Sequence, residues 1–347
     1  MRLASVEVIP YALPFRRPYV TARGSLDQRE MVLLRLRSQE GLVGLGEAVP
    51  LSLRGGTSIT EVVRELEALA EPALETDAIA ARAAGLSAPA KCAVTTALDD
   101  LLHQAADRSS TEVPRCARCN ATLVAGEPAA VAADAERWAA AGFRTFKLKL
   151  GAGDDVGQVR AVRQAIDPMA RIRVDANAAW SVEEARRILE AIEPFDIELV
   201  EQPVASLEEM AELAGLTPIP IAADESVTSP AEAKRARDLG ACSVVGVKLS
   251  KVGGVAAAAA IAEVMPTYLS SALDGPVGIA AAVELASRSE VHRPFDEPLA
   301  HGLATQRLFA STIASVECQL FDDIMQMPRG PGLGIEIDED ALQSHRL

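Results

Sequence analysis

Lys149, Asp175, Glu201, Asp224 and Lys248 stand 26, 26, 23 and 24 residues apart, and each closes a short apolar run: TFKLKL, IRVD, IELVE, PIAAD and VVGVKL. One strand in every ~25 residues, with room for a helix between, is the period of a β/α barrel. Apolar runs of this kind suit parallel strands buried on both faces. In such a barrel the carboxyl ends of the strands face one shared mouth, so the five ionisable side chains are expected to converge there.

The spaces between the runs support that reading. Ser181–Glu184, Ser206–Glu209 and Ser229–Glu232 each have the spacing that satisfies two orphan amides of a helix first turn, and Pro230 suits a first helical position. Barrel strands are expected at 120–125, 145–151, 171–176, 197–202, 219–224, 244–250 and 267–273. An eighth strand is hard to assign, because the segment 289–305 is broken by prolines.

Residues 1–112 read as a separate α+β lobe, 113–305 as the barrel, and 306–347 as a tail that leaves the barrel and returns to the first lobe. In the lobe the N-terminal MRLASVEVIPYALPF alternates like a strand. REMVLLRLRS and LVGLGEA are expected to pair through a turn at Glu40–Gly41. Helices are expected near 58–71, opened by Ser58 with Glu61, and near 90–108.

Strand residues two apart share a face, so Lys147 and Lys149 both point inward. Charges ~6 Å apart at an effective dielectric near ~20 repel by about 3 kcal/mol. That is about two pKa units, part of the drop a lysine base needs. Three hard carboxylates from three successive strands, with no His or Cys among them, suit Mg²⁺, with Mn²⁺ able to substitute, and do not suit zinc. A divalent cation between two lysines answers one chemical problem well, the removal of a proton next to a carboxylate. Lys248 is the second lysine, and Lys251 competes with it but lies past the strand in SKVGG. Glu225 either accepts a hydrogen bond from a lysine and orients it, or is a surface residue.

Other classes are disfavoured. A net charge of −15 repels phosphate backbones, so nucleic acid is not an expected partner. No apolar run reaches the ~20 residues that cross a bilayer, so no membrane association is expected. With no signal block at the N-terminus, a cytoplasmic protein is expected. Five cysteines at irregular spacing suggest no disulfide framework, and Cys116-x-x-Cys119 is one pair short of a structural zinc site. None of the four histidines ends a well-defined strand, which disfavours a histidine base. The close glycines of GLVGLGEA precede no helix, which disfavours dinucleotide binding.

Over nearly its whole length the chain resembles the enolase superfamily, muconate-lactonising subgroup. The resemblance is carried by KLK, VDANAAW, VEQP, ADES and VKLSKVGG. Within that subgroup, ARGSLDQREMVLLRL, SSALDGPVGIAAAVELA, GLATQRLF and PRGPGLGIEID are most similar to the o-succinylbenzoate synthase branch. The resemblance implies a modified TIM barrel of the (β/α)7β type, with the α+β capping domain closing over its mouth. It implies Mg²⁺ on Asp175, Glu201 and Asp224. Lys149 would be the base that removes a proton and then assists loss of water, and Lys248 the cation beside the enediolate. Ser270 and Ser271 would border the substrate, and Arg173 and Asn177 would support the metal-site strand; read as residues alone, those four are as well explained by packing or solvation. The same set serves N-succinylamino acid racemases, dipeptide epimerases and muconate cycloisomerases, and a dipeptide epimerase would need an acid near the eighth strand, where Asp296 is the candidate. The reading from a different class is a catalytically silent barrel acting as a binding protein, which would have no need to bury three carboxylates and two lysines together. The expected partner is a small-molecule carboxylate, and a homo-oligomer is the one macromolecular association left open.

Overall fold

The protein is described here by a computed structural model, covering residues 1–50, 56–70, 74–106, 115–288 and 298–347. Three antiparallel strands form the sheet of the first lobe: β1 (Leu3–Thr21), β2 (Gly24–Ser38) and β3 (Val43–Ala48). Gly41 turns the β2–β3 hairpin at φ +89, where a side chain would be strained. Helices α1 (Ile59–Glu67), α2 (Thr76–Ala83) and α3 (Ala88–Ala105) cover the sheet. The sequence reading missed α2, whose cap residue Glu75 makes no side-chain cap. The close glycines of β3 are there for packing. A Cβ at Gly44 or Gly46 would overlap the carbonyls of Ala97 and Ala93, so these positions let α3 lie directly on the strand.

After β4 (Cys116–Arg118) comes a parallel sheet in simple sequence order: β5 (Ala121–Leu123), β6 (Thr145–Lys149), β7 (Arg171–Asp175), β8 (Ile197–Glu201), β9 (Ile221–Ala223), β10 (Val244–Val247) and β11 (Thr267–Leu269). Helices α4 (Pro128–Ala140), α5 (Asp155–Ala165), α6 (Val182–Ile192), α7 (Leu207–Ala214) and α8 (Pro230–Leu239) alternate with the strands, followed by α9 (Leu249–Val252), α10 (Val255–Ala262) and α11 (Pro276–Ala286). Two of the three barrel capping boxes form as expected, at Ser181 and Ser206. At Ser229 the hydroxyl accepts from Glu232 N, while the Glu232 carboxylate accepts from the Thr228 amide at 2.6 Å.

The eighth strand reduces to a bridge. His301 pairs with Cys119 and Gly302 with Ser270, both parallel, and that contact closes the barrel. Residues 289–297 of the segment that resisted assignment, with Asp296, lie outside the described residues.

The tail adds β12 (Ala314–Val316), β13 (Gln319–Phe321), β14 (Ile324–Gln326), β15 (Glu336–Ile337) and α12 (Glu339–His345). β14 pairs with β4, the short strand that precedes the barrel. Leu347 N then donates to Pro10 O at 3.1 Å and Arg35 pairs with Glu339, so the chain end returns to the first lobe.

Candidate active site

The strand register sets the site. Lys149 lies opposite Asp175 across β6–β7, and Asp175 opposite Glu201 across β7–β8, while Asp224 lies one residue past β9. All three acids are fully buried, and Lys147, Lys149 and Lys248 are nearly so. Lys147 Nζ donates to both oxygens of Glu201 at 2.7 Å and lies 2.8 Å from Asp175 Oδ2. Lys149 Nζ donates to Asp175 Oδ2 at 2.6 Å and Asn177 Oδ1 at 3.0 Å. Lys248 pairs with Asp224 Oδ2 and Lys251 with Asp224 Oδ1, the latter at 2.8 Å. The sequence reading set Lys251 aside, but α9 folds straight off the end of β10 and buries it against Asp224.

Two of the expectations change in this setting. The expectation of a lysine lowered by its neighbour is reversed. Burial favours the neutral amine of Lys149 and Lys147 repels its charge, but Asp175, Tyr19 and Glu201 together outweigh them and the pKa is raised. Lys147 is raised as well, because burial is overridden by Asp175 and Glu201. Asp175, despite its burial, is held far below the usual carboxylate range by Lys147 and Lys149, whereas burial and Asp175 push Glu201 up. The acids also do not stand as a ready metal cluster, since among the described residues no three Asp, Glu, His or Cys groups converge closely enough. Four ammonium groups interleave with the three carboxylates instead. The donor set nevertheless fits a divalent cation. Its ligands are hard oxygens, wholly buried, and Lys147 already supplies positive charge between two of them.

The remaining predicted residues divide into two groups. Asn177, left-handed at φ 49, connects Lys149 to Glu225, whose Oε1 accepts from Asn177 Nδ2 at 3.1 Å. Ser270 and Ser271 line a cleft together with Tyr19, Thr21, Arg23 and Arg29 from the first lobe, Lys147, Lys149 and Lys248 from the barrel, and Thr305. Arg173 does not reach this cleft. It lies inside the barrel, paired with Glu198, donating to Ala300 O at 2.7 Å and stacked over the Tyr268 ring.

Two residues that the sequence reading missed hold the acids in place. Tyr268 Oη donates to Glu201 Oε2. Gln202 Oε1 accepts from Asp224 N at 2.9 Å and from Ser226 N, from a left-handed backbone at φ 39. The signal for Tyr268 was available, because it stands two residues before Ser270 on one strand and so shares its face.

Known families match both lobes of the chain. Residues 4–112 match the mandelate racemase/muconate lactonizing enzyme N-terminal domain, and 130–341 the enolase C-terminal domain-like family. The chain is 40% identical over 182 residues to an o-succinylbenzoate synthase of Thermobifida fusca, a stretch covering 50% of this chain and 56% of that protein. A muconate lactonizing enzyme from Pseudomonas fluorescens, solved with muconolactone, superposes with a TM-score of 0.90 at 26% identity over 99% of both chains. A dipeptide epimerase from Cytophaga hutchinsonii, solved with Mg and D-Ala-L-Val, gives 0.90 at 25% identity over 99% of this chain and 98% of that one.

Proposed function

The chain belongs to the enolase superfamily and is an enzyme, and from that premise we propose that it removes a proton alpha to a substrate carboxylate, as an o-succinylbenzoate synthase of menaquinone biosynthesis acting in the cytoplasm. The observation that carries this reading is that Lys147, Lys149 and Lys248, which line one cleft, pair behind its wall with the buried carboxylates Asp175, Glu201 and Asp224. Asp175, Glu201 and Asp224 would hold Mg²⁺, which when bound supplies the positive charge that lets a carboxylate accept a second negative charge. Residues 1–112 and the tail from 306 would serve as the cap, and 113–305 as the catalytic barrel.

In this reading the substrate is 2-succinyl-6-hydroxy-2,4-cyclohexadiene-1-carboxylate. Lys149 takes the ring proton alpha to the carboxylate, and the electron pair becomes part of an enediolate. Lys149 then returns that proton to the departing hydroxyl, which leaves as water, and the ring becomes aromatic. Lys248, on the other side of the acids, stays protonated beside the enediolate. Asn177 holds Lys149 toward the cleft, and Ser270, Ser271 and Arg23 border the succinyl arm.

The lining supports an N-acyl or dicarboxylate substrate over a free amine. Among the described residues the cleft wall carries Arg23 and Arg29 and no Asp or Glu, so a substrate ammonium finds no counter-charge there. A second reading, racemisation of N-succinyl amino acids, is favoured by one feature: Lys149 and Lys248 reach the same cleft from different strands, as a two-base reaction needs. The deciding assay follows o-succinylbenzoate formation by absorbance, with Lys149→Ala as control. Formation by the wild type alone supports the synthase, while no formation together with racemisation of an N-succinyl amino acid supports the second reading.

A further inference from the structure

Glu47, the acid of LVGLGEA, is on β3 of the first lobe, yet its partners lie mostly in the barrel. Its Oε1 accepts from Gly275 N at 2.6 Å, and the amide of Val277 also hydrogen-bonds to the carboxylate. These are orphan donors at the start of α11, whose own N-cap, Gly275, has no side chain to offer. A Cβ at Gly275 would overlap Tyr11 Oη and stand 2.7 Å from Glu47 Oε2, and one at Gly278 would stand 2.9 Å from Glu47 Oε1. The helix start is therefore shaped to admit a carboxyl group from another lobe, whose oxygen accepts from its orphan amides.

The segment leading into that helix is the cleft wall, Ser270–Leu273. Leu273 is held left-handed at φ 67, a strained state for a leucine. Asp274 anchors the wall from beneath, accepting from Ser271 Oγ and Ala272 N at 2.7 Å and from Ser250 Oγ at 3.2 Å. Glu47 anchors it from above, and its other oxygen accepts from Tyr11 Oη at 2.9 Å.

We propose that Glu47 is a positioning residue for the substrate: a carboxylate from the capping lobe that, by capping α11, holds the Ser270–Leu273 wall closed on the cleft when neutral and loosens it when charged. The titratable groups facing it are Tyr11 on β1, Cys92 on α3 and Asp274 on the wall. Each is neutral or negative, so ionising Glu47 sets two buried carboxylates against each other. Burial, and then Asp274, push its pKa up to about 8. With the proton on Glu47, its O–H donates to Tyr11 Oη and the Tyr11 hydroxyl turns to Met31 Sδ, 3.7 Å away. Because the folded pKa is raised, the contribution to stability is complete below the unfolded value near ~4.3 and is lost as pH rises through about 8.

The test measures amide hydrogen exchange of segment 268–279 at pH 7 and pH 9, corrected for intrinsic rates, in wild type, Glu47→Gln and Glu47→Ala. It needs no substrate, so it stands apart from the reaction assigned above. Expected are a loss of protection of about tenfold in the wild type between the two pH values, no such loss in Glu47→Gln, and low protection at both in Glu47→Ala. With any substrate that turns over, KM is expected to follow the same pattern while kcat changes little. If Glu47→Ala does not fold, the wild type and Glu47→Gln still decide. Equal pH dependence in those two, or protection that does not change with pH in the wild type, would overturn the proposal.

Discussion

Lys147 is the best place to test whether the acids form a cation site. Its ammonium lies 2.7 Å from both Glu201 oxygens and 2.8 Å from Asp175 Oδ2, with all three groups out of water. Lys147→Met keeps the length of the side chain and removes the charge. Lys149 still neutralises Asp175, so the loss falls mainly on Glu201. Breaking a buried pair from one side costs about 3–5 kcal/mol. At roughly 2 °C per kcal/mol for a chain of this size, the melting temperature without metal should fall by about 6–10 °C. Mg²⁺ should then reverse the effect. At a hundredfold excess over Kd a ligand stabilises by about 2.7 kcal/mol, and in the variant Mg²⁺ no longer has the Lys147 ammonium to displace. Calorimetric melting with and without Mg²⁺ should therefore show a larger Mg²⁺-induced rise in Lys147→Met than in the wild type. Equal rises, or a variant as stable as the wild type without metal, would refute the reasoning.

Tyr268→Phe removes the hydroxyl that donates to Glu201. Titration calorimetry should find Mg²⁺ bound about tenfold more weakly, with the metal-free stability lowered by only ~1 kcal/mol. Gly46→Ala drives a methyl into the Ala93 carbonyl and should cost about 1–3 kcal/mol in denaturant unfolding. Of the C-x-x-C pair, Cys116 is exposed and Cys119 is buried, with its thiol pushed up to about 12. A thiol reagent at neutral pH should therefore label Cys116 in the folded protein and leave Cys119 untouched until it unfolds.

The barrel was legible because a repeat of strand, helix and terminal charge survives in one sequence. Lys149, Asp175, Glu201, Asp224 and Lys248 all lie where that repeat puts them. What the sequence could not give is direction across space. Lys251 follows the end of β10 by four residues, and only the immediate turn of α9 brings it back onto Asp224. The third capping box looked like the other two, but Glu232 also accepts from the amide and hydroxyl of Thr228. The eighth strand was illegible because two bridging residues carry no period at all. Glu47 read as the end of a hairpin strand, and nothing local to it signals that its partners lie 228 residues away at Gly275. The ionisation of Lys149 was misjudged for the same reason. Its neighbour Lys147 was visible in the sequence, whereas the stronger influence, Asp175 at 2.6 Å, depends on register.

The most direct measurement is proton exchange itself. Incubated in D2O with Mg²⁺ and its carboxylate substrate or product analogue, the wild type should wash deuterium into the alpha position, as followed by NMR. Exchange should vanish on chelation of the metal and in Lys149→Ala. Exchange that continues in either case, or a wild type that never exchanges the alpha proton of any such acid, would contradict the account.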